Sequence, residues 1–231
     1  MKLITDGDNV YKIRKSNEAG LGYHSGIMYL APWQTSGIGN VCPYASDGCI
    51  KSCLFTSGRG AMYSVQQARV NRTKFFYNHR DDFLQQLTNE TEQFIKKCTK
   101  LNLIPSLRLN GTSDVPWHKF FDMEKYPNVQ FYDYTKSPSR MLQFLNGELP
   151  NNYHLTFSRS ETNEKDAIEM KRAGGNVAVV FKPTIPLKWK RFNVFSGDKH
   201  DLRFLDPKHG ICGLTAKGKA KRDNTGFTVV V

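Results

Sequence analysis

The chain lacks any apolar run of membrane-spanning length, any internal repeat, any low-complexity tract and any composition shift that reads as a linker. Those absences argue against a helical membrane protein, a solenoid and a string of tethered domains. The start lacks the apolar stretch of a secretory signal, since Met1-Lys2-Leu3-Ile4 runs directly into Thr5-Asp6-Gly7-Asp8-Asn9, so a cytoplasmic protein with no membrane partner is expected. Cysteine is scarce, with five in 231 residues, and three of the five fall between positions 42 and 53. In a reducing compartment such a cluster reads as ligands or redox groups rather than disulfides. Acidic residues are also short: 21 Asp plus Glu face 33 Lys plus Arg, leaving a formal charge of +12 and a pI near 9.5. That excess suits a polyanionic partner, nucleic acid first, with a merely basic soluble protein as the alternative.

At 231 residues and 39% apolar content the chain is long and apolar enough for one domain with its own core. Residues 1–26 read as an N-terminal extension, 27–182 as a β/α core and 183–231 as a closing segment. Ile27-Met28-Tyr29-Leu30, ended by Pro32, reads as the first buried strand, and a loop of about two dozen residues follows, long enough to suggest function. Apolar spacing predicts helices over 62–77 and 80–99. Further strands are expected at Ser106–Leu109, Val129–Tyr132, His154–Phe157 and Val177–Phe181, with helices between them at Trp117–Lys125, Ser139–Asn146 and Asn163–Ala173, the last ending at Gly174-Gly175. Strand and helix alternating in this way imply right-handed crossovers and a parallel sheet. The expected class is α/β: a parallel β/α partial, TIM-like barrel with a cysteine loop after its first core strand. An irregular β-rich C-terminal segment would follow, with strand character around Trp189–Val194, Leu202–Leu205 and Phe227–Val231.

Ligand sites in parallel α/β sheets gather at the carboxyl ends of strands. The residues there are strongly polar: Asn110, Thr112, Ser113 and Asp114 after the second strand, Tyr134 and Lys136 after the third, Arg159 after the fourth and Lys182 after the fifth. Any one polar strand end is ordinary, because strand ends meet solvent. Five such loops on one rim, counting the cysteine loop, point to a site.

The cysteines spell C-x6-C-x3-C over Cys42, Cys49 and Cys53, with Pro43 and Gly48 supplying turns. Three thiolates this close clasp one soft metal centre. Cys212 is the preferred fourth ligand, because Gly210 and Gly213 let its backbone approach closely. Cys98 reads instead as a small packed hydrophobe, and His24, His79 and His209 stand as substitutes. Zinc and a [4Fe-4S] cluster both accept four thiolates, but structural zinc prefers paired C-x2-4-C knuckles, so three ligands on one arc favour the cluster.

Basic side chains follow the cysteine loop at Arg59, Arg69 and Arg72, and the densest run is Lys217, Lys219, Lys221 and Arg222. Both sets suit contact with a phosphate backbone. Trp33, Tyr44, Phe55 and Tyr134 are placed either to stack on bases or to shield a cluster from water.

Cys42-Pro43 to Cys53, Gly58-Arg59-Gly60, Leu107 to Asp114 and the ending Gly210-Ile211-Cys212-Gly213 to Val231 together resemble a family of bacteriophage proteins, the gene-product-88 type. The resemblance spans most of the chain and implies a viral source and host-cell cytoplasm. More distantly, a three-cysteine loop after the first strand of a partial barrel resembles the radical S-adenosylmethionine superfamily, whose C-x3-C-x2-C motif leaves one iron open to the cosubstrate. The spacing here differs, and a thiolate from Cys212 would close that position. Three functions stand open: an iron–sulfur protein associated with nucleic acid; a radical-type or redox enzyme with Asn110, Asp114, Arg159 and Lys182 as substrate ligands; and a zinc-stabilised module that binds a host protein.

Overall fold

The apolar runs of the core do pair side by side. In the computed structural model, which describes every residue except Val10, β1 (Ile4–Asp6) lies antiparallel to β2 (Tyr23–Met28). From β2 the sheet continues in parallel through β3 (Ile104–Arg108), β4 (Gln130–Thr135), β5 (Tyr153–Ser158) and β6 (Asn176–Lys182). At the other edge β7 (Lys188–Trp189) and β8 (Phe192–Ser196) form a hairpin whose two-residue turn, Lys190 (φ 46) and Arg191 (φ 71), takes the left-handed conformations a tight hairpin needs. β9 (Ile211–Thr215) lies parallel between β6 and β8. Phe181 pairs with Thr215 on one side and with Val229 on the other, so β10 (Val229–Val230) takes the edge of β6 that β5 leaves vacant beyond Ser158.

The edge strands β1 and β7 do not pair with each other, and the result is one open, ten-stranded, mostly parallel sheet. The α/β class and mostly parallel sheet stand as expected, while the sheet of the expected partial, TIM-like barrel is not closed and has β1 and β7 at its edges. The helices are α1 (Tyr11–Glu18), α2 (Asp47–Lys51), α3 (Tyr63–Asn78), α4 (Arg80–Lys100), α5 (Pro138–Leu145) and α6 (Glu164–Arg172). Among the described residues no helix is long and apolar enough to cross a membrane.

Several boundaries differ from expectation for identifiable reasons. β2 begins four residues early, in the polar stretch Tyr23-His24-Ser25-Gly26, because Ser25 is satisfied inside the protein by the Ser106 hydroxyl at 2.7 Å. Residues 1–26 are built into the sheet through β1, with Leu3, Ile4 and Ile13 all buried, rather than standing off as an extension. The helix expected over Trp117–Lys125 is a single 3-10 turn, Trp117–Lys119, entered through Pro116 and pinned by the Trp117 indole N–H donating to Asn110 Oδ1 at 3.1 Å. Leu202–Leu205 is a turn, not a strand.

Alternation along β3 assigns the two faces of the sheet. Leu107 and Leu109 join Phe83, Leu87 and Phe94 in the main apolar core under α4. Arg108 points the other way, toward Asp201 at 2.8 Å, beneath the segment that joins β8 to β9. That opposite face is polar at its centre, where Arg203 pairs with Asp206 at 3.2 Å and donates to the Cys212 sulfur.

Asp133 on β4 is wholly buried and accepts from the Asn110 backbone N–H at 2.7 Å, the Asn110 side chain at 3.0 Å and the Tyr153 hydroxyl at 3.0 Å. Burial is the largest influence on its carboxyl and pushes it from 3.8 up to about 7, against the pull of those donors and of Arg108. Between the two values the folded protein holds a proton that the unfolded chain has lost, so stability falls as pH rises through that window. Denaturant unfolding across the window should show the fall in the wild type and a flatter profile in Asp133→Asn; identical profiles would contradict the assignment.

Candidate functional site

All six core strands that run in parallel from β2 to β9 send their carboxyl ends to one side of the sheet, and a cavity of about 250 Å³ opens there. Cys42, Cys49 and Cys53 line it, together with residues 110–114, Tyr134, Lys136, Ser158, Val180, Leu214, Lys217 and Phe227. The three thiols therefore share one cavity.

The cysteine loop is held by groups outside it. Glu161, just beyond β5, accepts from the Ser46 hydroxyl at 2.8 Å and from the Gly48 N–H at 2.7 Å. Ser46 in turn caps α2 by accepting from the Cys49 N–H at 3.3 Å. Gly48 is required for this approach, since a Cβ there would lie 2.2 Å from Thr225 Oγ1 and 2.7 Å from Phe227 Cβ. At the front of the loop the Cys42 sulfur donates to the Thr112 carbonyl at 3.6 Å, while the Asp114 N–H donates to the Val41 carbonyl at 2.7 Å. Asp114 also accepts from the Lys136 N–H at 2.9 Å and forms an ion pair with Arg140. The Glu161 carboxylate and the Asp114 N–H thus bind the loop to the ends of β5 and β3, and the Asp114 carboxylate ties that anchor to the end of β4.

Burial pushes the Cys42 thiol up to about 12 and raises Cys53, each opposed by the nearby Lys136 ammonium and raised further by neighbouring cysteines. Thiols in that condition stay protonated unless a cation replaces the proton. The three sulfurs do not all lie within 4.8 Å of one another. Among the described residues the trio of candidate ligands that does is Asp6, Asp8 and His24. That trio sits at the opposite end of β2, where the Lys97 ammonium already pairs with both Asp6 and Asp8.

Cys212 is buried on β9, does not line the cavity, and has its sulfur hydrogen-bonded by Arg203. Cys98 is buried in α4 within the apolar core. No histidine lines the cavity.

The rim residues divide into two kinds. Lys136 and Tyr134 line the cavity. Lys136 meets the Ser158 hydroxyl at 3.0 Å and no carboxylate, and the Tyr134 hydroxyl is buried without a partner beneath the Arg108 guanidinium, 4.5 Å from its ring. Burial drives the Tyr134 hydroxyl well above its usual range. The other expected substrate ligands are occupied in the architecture. Asn110 accepts from Ser113, Val115 and Trp117, Thr112 donates to the Leu30 carbonyl at 2.6 Å, and Lys182 donates to the Asp223 carbonyl. Arg159 pairs with Glu164 at 2.6 Å and donates to the carbonyls of Gly226 and Phe227, fastening the C-terminal segment.

The basic candidates divide as well. Arg69 is buried against the rings of Tyr29 and Phe55, and the half-buried Arg72 donates to the Lys2 carbonyl at 2.8 Å, so both are engaged within the fold. Arg59, Lys217, Lys219, Lys221 and Arg222 are exposed. Arg108, Glu161 and Asp198 were not expected at the site. Arg108 alternates with Leu107 and Leu109, a pattern that marks an inward cation, whereas no local signal marks the other two.

Fold and site together define an open parallel α/β protein with a cysteine-lined cavity at the carboxyl ends of its strands. The family model described as Gene product 88 matches residues 3–230, and the chain belongs to that family. No curated protein and no solved structure matches the chain.

Glu161→Ala leaves the Gly48 N–H and Ser46 hydroxyl without their acceptor, a loss of about 1–3 kcal/mol where such groups stay buried. Amide exchange should then accelerate over residues 47–52 while β3–β6 keep their protection. Unchanged exchange in the loop would show that Glu161 does not hold it.

Proposed function

We propose that Cys42, Cys49 and Cys53 ligate a [4Fe-4S] cluster that keeps one coordination position toward the cavity, and that the protein is a redox or radical-type enzyme acting on a ligand held there. The observation that carries this reading is the placement of three thiols on one cavity wall with Cys212 off it. A fourth thiolate would close the centre, whereas three leave it reactive.

The spacing of the sulfurs supports a group larger than one ion. Zinc–sulfur bonds of 2.3 Å in a tetrahedron hold ligand sulfurs about 3.8 Å apart, closer than these three collectively stand. Such a cluster, when bound, supplies one-electron chemistry and a Lewis-acidic iron. The chain's own residues supply the rest. Lys136 offsets negative charge beside the thiolates, Asp114 fixes the backbone of Lys136, and Leu54 and Phe227 place apolar surface on the cavity wall.

Anaerobic purification with iron, sulfide and zinc quantification tests the proposal directly. About four irons and four sulfides per chain are expected, lost in Cys42→Ala, Cys49→Ala and Cys53→Ala, and kept in Cys212→Ala and Cys98→Ala variants that retain the wild-type circular dichroism spectrum. One zinc per chain, or loss of iron from a folded Cys212→Ala variant, would contradict it.

A further inference from the structure

We propose that the cavity rim seats a single-stranded nucleic acid whose backbone follows the basic turn 218–222 and whose exposed bases include one nucleotide delivered into the cavity. This deepens the reading above by naming the substrate class, and it rests on that reading only for what happens to the nucleotide once inside.

The first support is a convergence absent from the linear sequence. The 3-10 turn Gly218–Arg222 packs on the turn Leu54–Thr56 that follows Cys53. Gly218, at φ +54, comes so close to Ser57 that an added Cβ would lie 1.8 Å from its hydroxyl oxygen. Lys219, Lys221 and Arg222 are thereby brought to the loop that carries Arg59. Ala220 at the centre of the turn is buried and lines the cavity, while the residues flanking it are exposed. The turn therefore faces the cavity with a methyl group and solvent with its charges.

These charges are not neutralised locally. Among the described residues no carboxylate forms an ion pair with Arg59, Lys219, Lys221 or Arg222. Neighbouring acids are committed elsewhere: Asp223 to the N–H and hydroxyl groups of Thr225 and Thr228, and Asp198 to Lys217 at 3.0 Å. Four unpaired cations beside one opening make an electrostatic seat for a chain of phosphates.

Large apolar side chains around the opening distinguish a single strand from a duplex. Leu54, which lines the cavity, is 55% exposed, and Tyr44 on the cysteine loop, next to the cavity-lining Ala45, is 48% exposed. Bases stack on such surfaces once they are unpaired, whereas in a duplex they are occupied with each other. The cavity is also recessed, so a base reaches it only after leaving a stack. Inside, Lys136 meets the Ser158 hydroxyl at 3.0 Å and no carboxylate, which suits the phosphate of a nucleotide.

The test is fluorescence anisotropy of the full chain with labelled mixed-sequence oligonucleotides, single-stranded DNA and RNA against the matching duplex, over a range of salt. A second set carries 2-aminopurine at one position. We expect a single strand to bind more tightly than the duplex and 2-aminopurine to brighten on binding. The double variant Lys219→Glu/Lys221→Glu should weaken binding about tenfold or more and flatten the log–log salt slope by about 1.4, at 0.7 per lost contact. Lys136→Gln should reduce the brightening and leave most of the affinity. Absence of binding at low salt, equal affinity for the duplex, or indifference to the double variant each overturns the interface; binding without brightening overturns delivery into the cavity. Iron content recorded on the same samples separates the two proposals. Strand binding by iron-free protein keeps the interface and removes the cluster, while a cluster without strand binding does the reverse.

Discussion

The geometry of the site depends on two carboxylates at the ends of strands. The cysteine loop belongs to no sheet ladder, so its backbone donors need acceptors from elsewhere, and an unsatisfied buried donor is costly. Glu161 accepts from Ser46 and Gly48 on one side of the loop. Asp114 anchors the other side, its N–H bonded to Val41 and its carboxylate to Lys136 and Arg140. The parallel sheet makes this possible by sending the relevant loops to one end. Three thiols that are separated in sequence and carry no mutual attraction are thereby kept around one cavity.

The protein's positive charge is divided between two tasks. Arg69, Arg108, Arg140, Arg159 and Arg203 are committed to rings, carboxylates or carbonyls within the fold. Arginine suits such positions because its planar fork serves several acceptors at once and stays ionised. Those pairs leave the net charge of +12 unchanged but take these arginines out of a partner's reach, and the basic turn beside the cavity gains importance as a place where lysines stand unpaired.

What could be read from the sequence follows from where each signal resides. β3 to β6 were legible because their cores are short apolar runs, and the long helices α3 and α4 because their apolar spacing is sustained. β2 was placed late because Ser25 and Gly26 are polar or small residues buried by pairing across strands, which no local pattern reveals. β9 was missed because Ile211-Cys212-Gly213-Leu214-Thr215 is short and glycine-bearing. Its glycine accommodates Ile185 and Val194 within 3 Å of where a Cβ would stand. At the site, the cysteine spacing and the polar strand ends pointed to the cavity residues Cys42, Cys49, Cys53, Tyr134 and Lys136. Glu161 and Asp198 act wholly through tertiary contacts. Cys212 drew notice through its flanking glycines, and the structure gives those glycines a packing role around β9.

The central claim is that three cysteines hold one centre whose remaining position faces the cavity. The most direct measurement is the Mössbauer spectrum of the protein loaded with iron-57, recorded with and without a small coordinating anion such as cyanide. The account predicts a cluster in which one iron differs from the other three and alone shifts when the anion is added. Four equivalent irons that ignore the anion, or a protein that binds no iron while folding normally, would contradict it.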